Sequence, residues 1–206
     1  MVEKIIIPFN GYPIYKISTE DMLNKDELAF LKSIPEQSIR TERKLKLLEG
    51  SNILNNKELQ RIKNIIWKHF VDYVDNVLEI KNKFYMCNSW GTIQKKGNHH
   101  PAHRHLNAIF SSVFYVDAPN SVVNFFVDKT KIQGGFNFTY DVQRYNAFNS
   151  QTWEVPVNTG DILFFPAEMS HETDVHDLSS DRIVIGASYF AKGRYGTEED
   201  YNLIDL

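Results

Sequence analysis

The sequence predicts a mainly β protein with N-terminal helices, and three observations carry that reading. From Lys83 onward the chain breaks into short extended runs punctuated by Gly, Pro, Asn and Asp, the pattern of an all-β sandwich or rolled barrel. Ahead of that point, apolar residues recur at spacings of three and four, the mark of helices with one buried stripe. Fourteen Phe and ten Tyr favour the pleated, half-buried surfaces of sheets.

Taken in order, Ser18-Thr19-Glu20-Asp21 opens a polar segment, and residues 25–31 read as a helix that Pro35 stops. A longer helix is expected over 57–79, where Leu59, Ile62, Ile65, Ile66, Phe70, Val71 and Val74 form the stripe. Strands are expected at 84–93, 108–116, 122–127, 153–157, 161–165 and 182–190. Residues 129–151, aromatic and without clean periodicity, read as a long loop near a site, since loops of that length are often functional.

A chain of 206 residues suits one domain: 1–83 as helical support and 84–206 as the core. The net charge of -3 argues against general nucleic-acid affinity, which needs dense Lys and Arg. The basic clusters 40–46 and 61–63 read as solvated faces. The single cysteine, Cys87, excludes an internal disulfide and fits a reducing compartment; its setting, Phe84-Tyr85-Met86-Cys87, reads as a buried thiol. The N-terminus lacks the features of a signal peptide, and no run approaches the roughly 18 apolar residues of a membrane span. A cytoplasmic protein is expected.

Chemistry concentrates in the histidines. Four of the seven fall in Gly97-Asn98-His99-His100-Pro101-Ala102-His103-Arg104-His105. On a strand, residues i and i+2 share a face, so His103 and His105 can grip one metal ion. His171, after the buried run 161–165 and Pro166, would complete a facial set that leaves positions open for substrate and oxygen. Arg182 opens the apolar run 183–188, and a cation beside an open metal site suits a dicarboxylate co-substrate. His99 and His100 read either as groups behind the metal or on the substrate side or as exposed loop residues, His176 as an exposed loop residue and His69 as structural. No catalytic group beyond the metal site suggests itself.

In order and spacing, Asn88-Ser89-Trp90-Gly91, His103-Arg104-His105, Ser111-Ser112-Val113-Phe114-Tyr115-Val116, Ala118-Pro119, Gly160-Asp161, Phe165-Pro166, His171 and Arg182 resemble a family of 2-oxoglutarate/Fe(II)-dependent oxygenases of marine bacteria and tailed phages. The resemblance covers nearly the whole chain. It implies a double-stranded β-helix (jelly-roll) core with Fe(II) in its mouth and 2-oxoglutarate and O2 as co-substrates. It implies oxidative decarboxylation of 2-oxoglutarate to succinate and CO2, coupled to hydroxylation of a C–H bond in a peptide or small molecule. By that analogy His103 and His171 are ligands and His105 stands where most such oxygenases carry a carboxylate, so the 2-oxoglutarate dianion would compensate the metal's full charge. Arg182 would fork onto its remote carboxylate. Relatives in the wider superfamily place Ser or Thr two residues later, where this chain has Val184; Tyr115 is then the first candidate for a supporting hydroxyl and Ser111 the second. Leu106, Ser112 and Phe114 depart from the family pattern and bear on substrate detail. A phage origin would make the location host cytoplasm.

Two other readings compete. A cupin-type dioxygenase or isomerase would use the same three histidines without 2-oxoglutarate, but the cupin Glu is missing from 106–110 and Arg182 would have no task. A non-enzymatic jelly-roll binding module, phage-encoded and vestigial or zinc-chelating, would not activate oxygen. The aromatic stretch 136–148 is a candidate lid over the substrate, and exposed jelly-roll edges suggest a homodimer.

Overall fold

The computed structural model describes residues 3–9, 12–40, 45–126, 141–146 and 149–206. The elements run β1 (Glu3–Phe9), β2 (Tyr12–Ser18), α1 (Lys25–Ser33), β3 (Glu36–Arg40), β4 (Leu45–Leu48), α2 (Gln60–Asp72), β5 (Lys83–Gln94), β6 (Phe110–Asp117), β7 (Ser121–Phe126), β8 (Thr152–Val157), β9 (Asp161–Pro166), β10 (Ser170–Thr173), β11 (Arg182–Lys192), β12 (Arg194–Tyr195) and β13 (Ile204–Asp205). Short 3-10 turns precede α2 and a π-helical turn, Tyr73–Val77, follows it. The larger antiparallel sheet has eight strands in the order β1-β2-β9-β6-β11-β5-β4-β3, and the smaller has the order β10-β7-β8. An isolated bridge between His103 and His171 adds a further short pairing beside β10. Two facing antiparallel sheets with this strand order form the jelly-roll.

The period-two alternation of strands sorts side chains between two cores. On β6, β9 and β11, Phe114, Ile162, Phe164, Ile183, Ile185 and Tyr189 face the helices and pack with Ile62, Ile66, Phe70 and Tyr73. Their neighbours Tyr115, Leu163 and Phe165 turn inward and meet Val123, Phe125, Val155 and Val157 of the small sheet. Covered on both faces, β9 is buried at every residue, which is why it reads as an unbroken apolar run. The sequence's strand boundaries agree with the structure to within two residues, and α2 lies inside the helix expected over 57–79.

The N-terminal third differs from expectation. Four strands, β1 to β4, occupy much of residues 3–48 and extend both edges of the large sheet. The β-branched run Ile5-Ile6-Ile7 and the Asn10-Gly11 dipeptide between two extended runs are hairpin signals that outweigh a helical reading. Helix α1 lies where the helix over 25–31 is expected and starts behind a capping box, where Asn24 accepts from the Glu27 amide and Glu27 from the Asn24 amide. Arg61 is not simply solvated: its guanidinium forks onto Glu27 at 2.8 and 2.6 Å, tying α1 to α2. The backbone at 41–44 and side chains 38–46 of the basic cluster, and most of the loop over 129–151, fall outside the described residues.

The Gly160-Asp161 pair proves to be an anchor. Gly160 (φ 94) leaves no room for a Cβ, which would sit 2.8 Å from the Thr19 carbonyl. Asp161 accepts from Ser18 and the Asn158 amide and pairs with Lys16 at 3.0 Å. Together they lock β2 onto β9.

Candidate active site

His171 sits on β10, opposite Phe125 of β7, and its backbone exchanges two 3.0 Å hydrogen bonds with His103. The chain then turns, so His103 and His105 do not lie along one continuous strand; the His105 amide instead donates to Ala167 O at 3.0 Å. The three imidazoles nonetheless converge, with ring centroids 4.3 Å (His103–His171), 4.8 Å (His105–His171) and 5.1 Å (His103–His105) apart. One donor atom from each lies within 4.8 Å of the others.

Their tautomers are set from behind. His103 Nδ1 donates to Pro101 O and His171 Nδ1 to Met169 O, both at 2.9 Å. Since a carbonyl only accepts, both rings carry the proton on Nδ1 and present Nε2 as a lone pair. His105 Nδ1 lies 2.6 Å from Ser111 Oγ, itself 3.2 Å from Ser188 Oγ, and this hydroxyl pair can accept the Nδ1 proton. His103 Nε2 and His105 Nε2 face each other at 3.2 Å, and a cation there would let all three rings hold the same tautomer. That is a set of donors fit for a divalent metal, with hydrogen-bonded partners on every outward nitrogen. Burial, then neighbouring His103 and His100, pulls His105 down to about 3, and burial holds His171 well below the usual histidine range. Both rings are neutral, as ligands must be.

On the inward face of the large sheet, Arg182 and Tyr115 line the same cavity as the triad. Arg182 is buried; its Nε donates to Gln94 Oε1 (2.6 Å), and Nη2 donates to Thr173 Oγ1 (3.0 Å) and Asp174 O (2.9 Å). No neighbour hydrogen-bonds its Nη1 among the described residues, which leaves that nitrogen for a ligand. Burial raises the Tyr115 phenol far above its usual range, against the opposing pull of Arg182. Five of the six singled-out residues thus share one cavity: His103, His105, His171, Arg182 and Tyr115. Ser111 is engaged elsewhere, beneath His105.

Three polar residues of this wall, Thr92, Gln94 and Thr173, went unnoticed in the sequence. The first two share the alternation Trp90, Thr92, Gln94 along β5, a period-two signal that could have marked them. His100 is no free loop residue: its ring stacks on His103 at 3.7 Å. His176 is buried rather than exposed, bonded through its ring to Ser180 O and through its backbone to Asn98 and Gly97, so it fastens the histidine segment to the loop before β11. His69 is buried on α2, in keeping with a structural part.

Trp90 separates this cavity from a second, outer one lined by Gln37, Leu47, Ser51, Arg104 and Leu106, and the triad's His103 and His105 border both. The indole meets the His105 ring edge-on, centroids 4.8 Å apart, and lies against Gly186, where a Cβ would come within 2.2–2.6 Å of three indole atoms. Gly186→Ala is therefore expected to cost about 1–3 kcal/mol by overpacking, a Tm loss of roughly 2–12 °C at this chain length. Calorimetry of Gly186→Ala, Trp90→Ala and the double variant checks this: the pair should be non-additive, because removing the indole removes the clash.

A jelly-roll whose mouth holds three convergent imidazoles beside a buried arginine is a candidate metal centre open to an anionic co-substrate. Residues 88–187, just under half the chain, match the model of the 2OG-Fe(II) oxygenase family. Among solved structures, the chain is similar to the non-heme alpha ketoglutarate dependent epimerase SnoN from nogalamycin biosynthesis (11% identity, 88% of this chain and 81% of that one, TM-score 0.60). It is similar to HygX from Streptomyces hygroscopicus, solved with nickel, 2-oxoglutarate and hygromycin B (12%, 88% and 83%, TM-score 0.57), and to a Pseudomonas putida prolyl-4-hydroxylase (12%, 87% and 92%, TM-score 0.52). At such identities the likeness is one of fold. None of the curated proteins matches the sequence. With the family match and the histidine cluster, the chain is an Fe(II)- and 2-oxoglutarate-dependent dioxygenase, with O2 as co-substrate. No helix among the described residues is long and apolar enough to cross a membrane.

Proposed function

We propose that His103, His105 and His171 hold Fe(II) through their Nε2 atoms, that Arg182 takes the remote carboxylate of 2-oxoglutarate, and that the enzyme hydroxylates a C–H bond of a peptide or small molecule. The observation that carries this is the convergence of three Nε2 lone pairs on the cavity that Arg182 also lines. Bound iron would let O2 act as the oxidant, with two electrons drawn from the substrate C–H bond and two from 2-oxoglutarate as it becomes succinate and CO2.

The chain's own residues set the stage. Gln94, Thr173 and the Asp174 carbonyl hold the guanidinium still, so it meets a carboxylate at low entropic cost. Tyr115 adds a phenol that stays protonated and can donate to the same carboxylate. Ser111 and Ser188 fix the His105 ring instead of touching co-substrate. The outer pocket admits the primary substrate to the opposite side of the triad, with Trp90 as the partition. Residues 1–83 serve as support for a catalytic core over 84–206. Cys87, the single cysteine, is consistent with a reducing cytoplasm, bacterial or that of a phage host.

The test is anaerobic titration of the Fe(II)-loaded protein with 2-oxoglutarate, read by the weak visible metal-to-ligand charge-transfer band. A saturating band supports chelation at an open iron site. Iron binding with no band favours the cupin chemistry, and failure to hold iron favours a binding module.

A further inference from the structure

Far from this site, the chain ends in a small hairpin in which β12 and β13 flank residues 196–203. Its tip is built with care. The Thr197 amide donates to Asn202 Oδ1 at 2.8 Å, Thr197 Oγ1 donates to Asp200 at 2.9 Å, and the Tyr201 amide donates to Glu198 O at 3.1 Å. Gly196 (φ 78) gives way to Asn202, whose Oδ1 would lie 2.3 Å from a Cβ there. All this holds Tyr201 in a left-handed conformation (φ 53) with 98% of its surface in water. A left-handed non-glycine residue is uncommon, and a pre-ordered, fully exposed tyrosine is the kind of group that anchors interfaces. Around it stand Glu199 and Asp200, while Glu198 is paired with Arg194 of the same hairpin at 2.8 Å.

Beside the hairpin's root lies a groove floored by Trp67, Val74 and Phe84 and rimmed by Lys81, Lys83 and Lys192, with Asp75 its one acid. None of the three lysines pairs with an acid among the described residues. Root and groove are joined directly: Tyr195 donates to Lys83 O at 2.6 Å, and its ring meets Phe84 edge-on at 6.3 Å. The tip, with Tyr201 in water, does not fill its own groove.

We propose that two copies of this chain pair by seating the acidic, Tyr201-bearing tip of each in the lysine-rimmed groove of the other. Tip and groove are complementary in charge, and each offers what the other lacks: an aromatic anchor and an apolar floor. Because the hairpin root adjoins the groove, a two-fold axis beside that root would bring both contacts together at once, as a closed isologous dimer requires. This surface is separate from the sheet edges that the sequence suggested for dimerisation, and it does not rest on the enzymatic reading.

Sedimentation equilibrium of the full chain tests it. Wild type should show a monomer–dimer equilibrium that weakens with added salt. Tyr201→Ser, Glu199→Lys and Lys83→Glu should each raise the dimer Kd about tenfold or more with unchanged far-UV circular dichroism. The Glu199→Lys/Lys83→Glu double variant should recover much of the lost affinity, since each copy then carries both halves of the reversed pair. A protein that stays monomeric up to about 0.5 mM, or a dimer whose Kd ignores Tyr201→Ser and Lys83→Glu, overturns the proposal.

Discussion

His171→Ala is expected to abolish tight iron binding. The ring is buried, its Nδ1 is committed to Met169 O, and its Nε2 is one of only three donors in the cluster. Loss of a mere outer partner of a metal ligand costs about 10–100-fold in affinity, and loss of the ligand itself should cost more than that. Equilibrium dialysis against Fe(II) under nitrogen, or against Ni(II) in air, measures it. His171 also packs on Phe165 and Phe125 at 4.9 and 5.7 Å, so the metal-free thermal transition must be followed alongside. A folded variant that binds iron as wild type does would remove His171 from the ligand set.

Arg182→Ala should behave oppositely, keeping iron and losing 2-oxoglutarate. Truncating one partner of a buried charged pair costs about 2–5 kcal/mol, or roughly 30-fold to a few thousand-fold in Kd. Arg182→Lys should not rescue it. A lysine cannot contact Gln94, Thr173 and the Asp174 carbonyl while presenting a further N–H to the ligand. Titration of the charge-transfer band separates the two variants cleanly. Equal 2-oxoglutarate affinity in Arg182→Ala and wild type would mean that the carboxylate is held elsewhere.

The sequence reveals these residues because the histidines and the arginine carry rare chemistry at sharp spacings on strands bounded by turn residues. The core strands were equally legible, since burial on both faces leaves long apolar runs such as Ile162-Leu163-Phe164-Phe165. What stayed hidden is relational. Ser111 looked like a co-substrate hydroxyl because its place on β6 says which face it occupies but not that His105 folds back over it. Gln94 and Thr173 are ordinary residues whose importance comes from Arg182, 88 and 9 positions away. His176 looked exposed because polar sequence surrounds it, while its burial arises from backbone bonds to Asn98 and Gly97 across the fold. The N-terminal strands are hard to read locally because helical signals begin at Lys25, while Ile5-Ile6-Ile7 is a run that only pairing with β2 makes useful.

Strand β11 concentrates several duties on one ribbon. Its inward residues are Arg182, which meets the co-substrate cavity, Gly186, which receives the Trp90 indole, and Ser188, which backs Ser111 and through it His105. Flanked by β5 and β6 in the middle of the large sheet, it cannot shift register by one residue without turning all three away at once. The outer pocket shares Ser188 with this ribbon and Trp90 with β5, and completes its rim with Gln37, Leu47, Ser51, Arg104 and Leu106 from peripheral strands and loops. On the proposed reading, the oxidising centre and the substrate-choosing surface meet at Trp90 and the histidines, and the outer rim stands apart from the co-substrate cavity. A designer seeking altered selectivity on that reading should keep Arg182, Gly186 and Ser188 and diversify Gln37, Leu47, Ser51, Arg104 and Leu106.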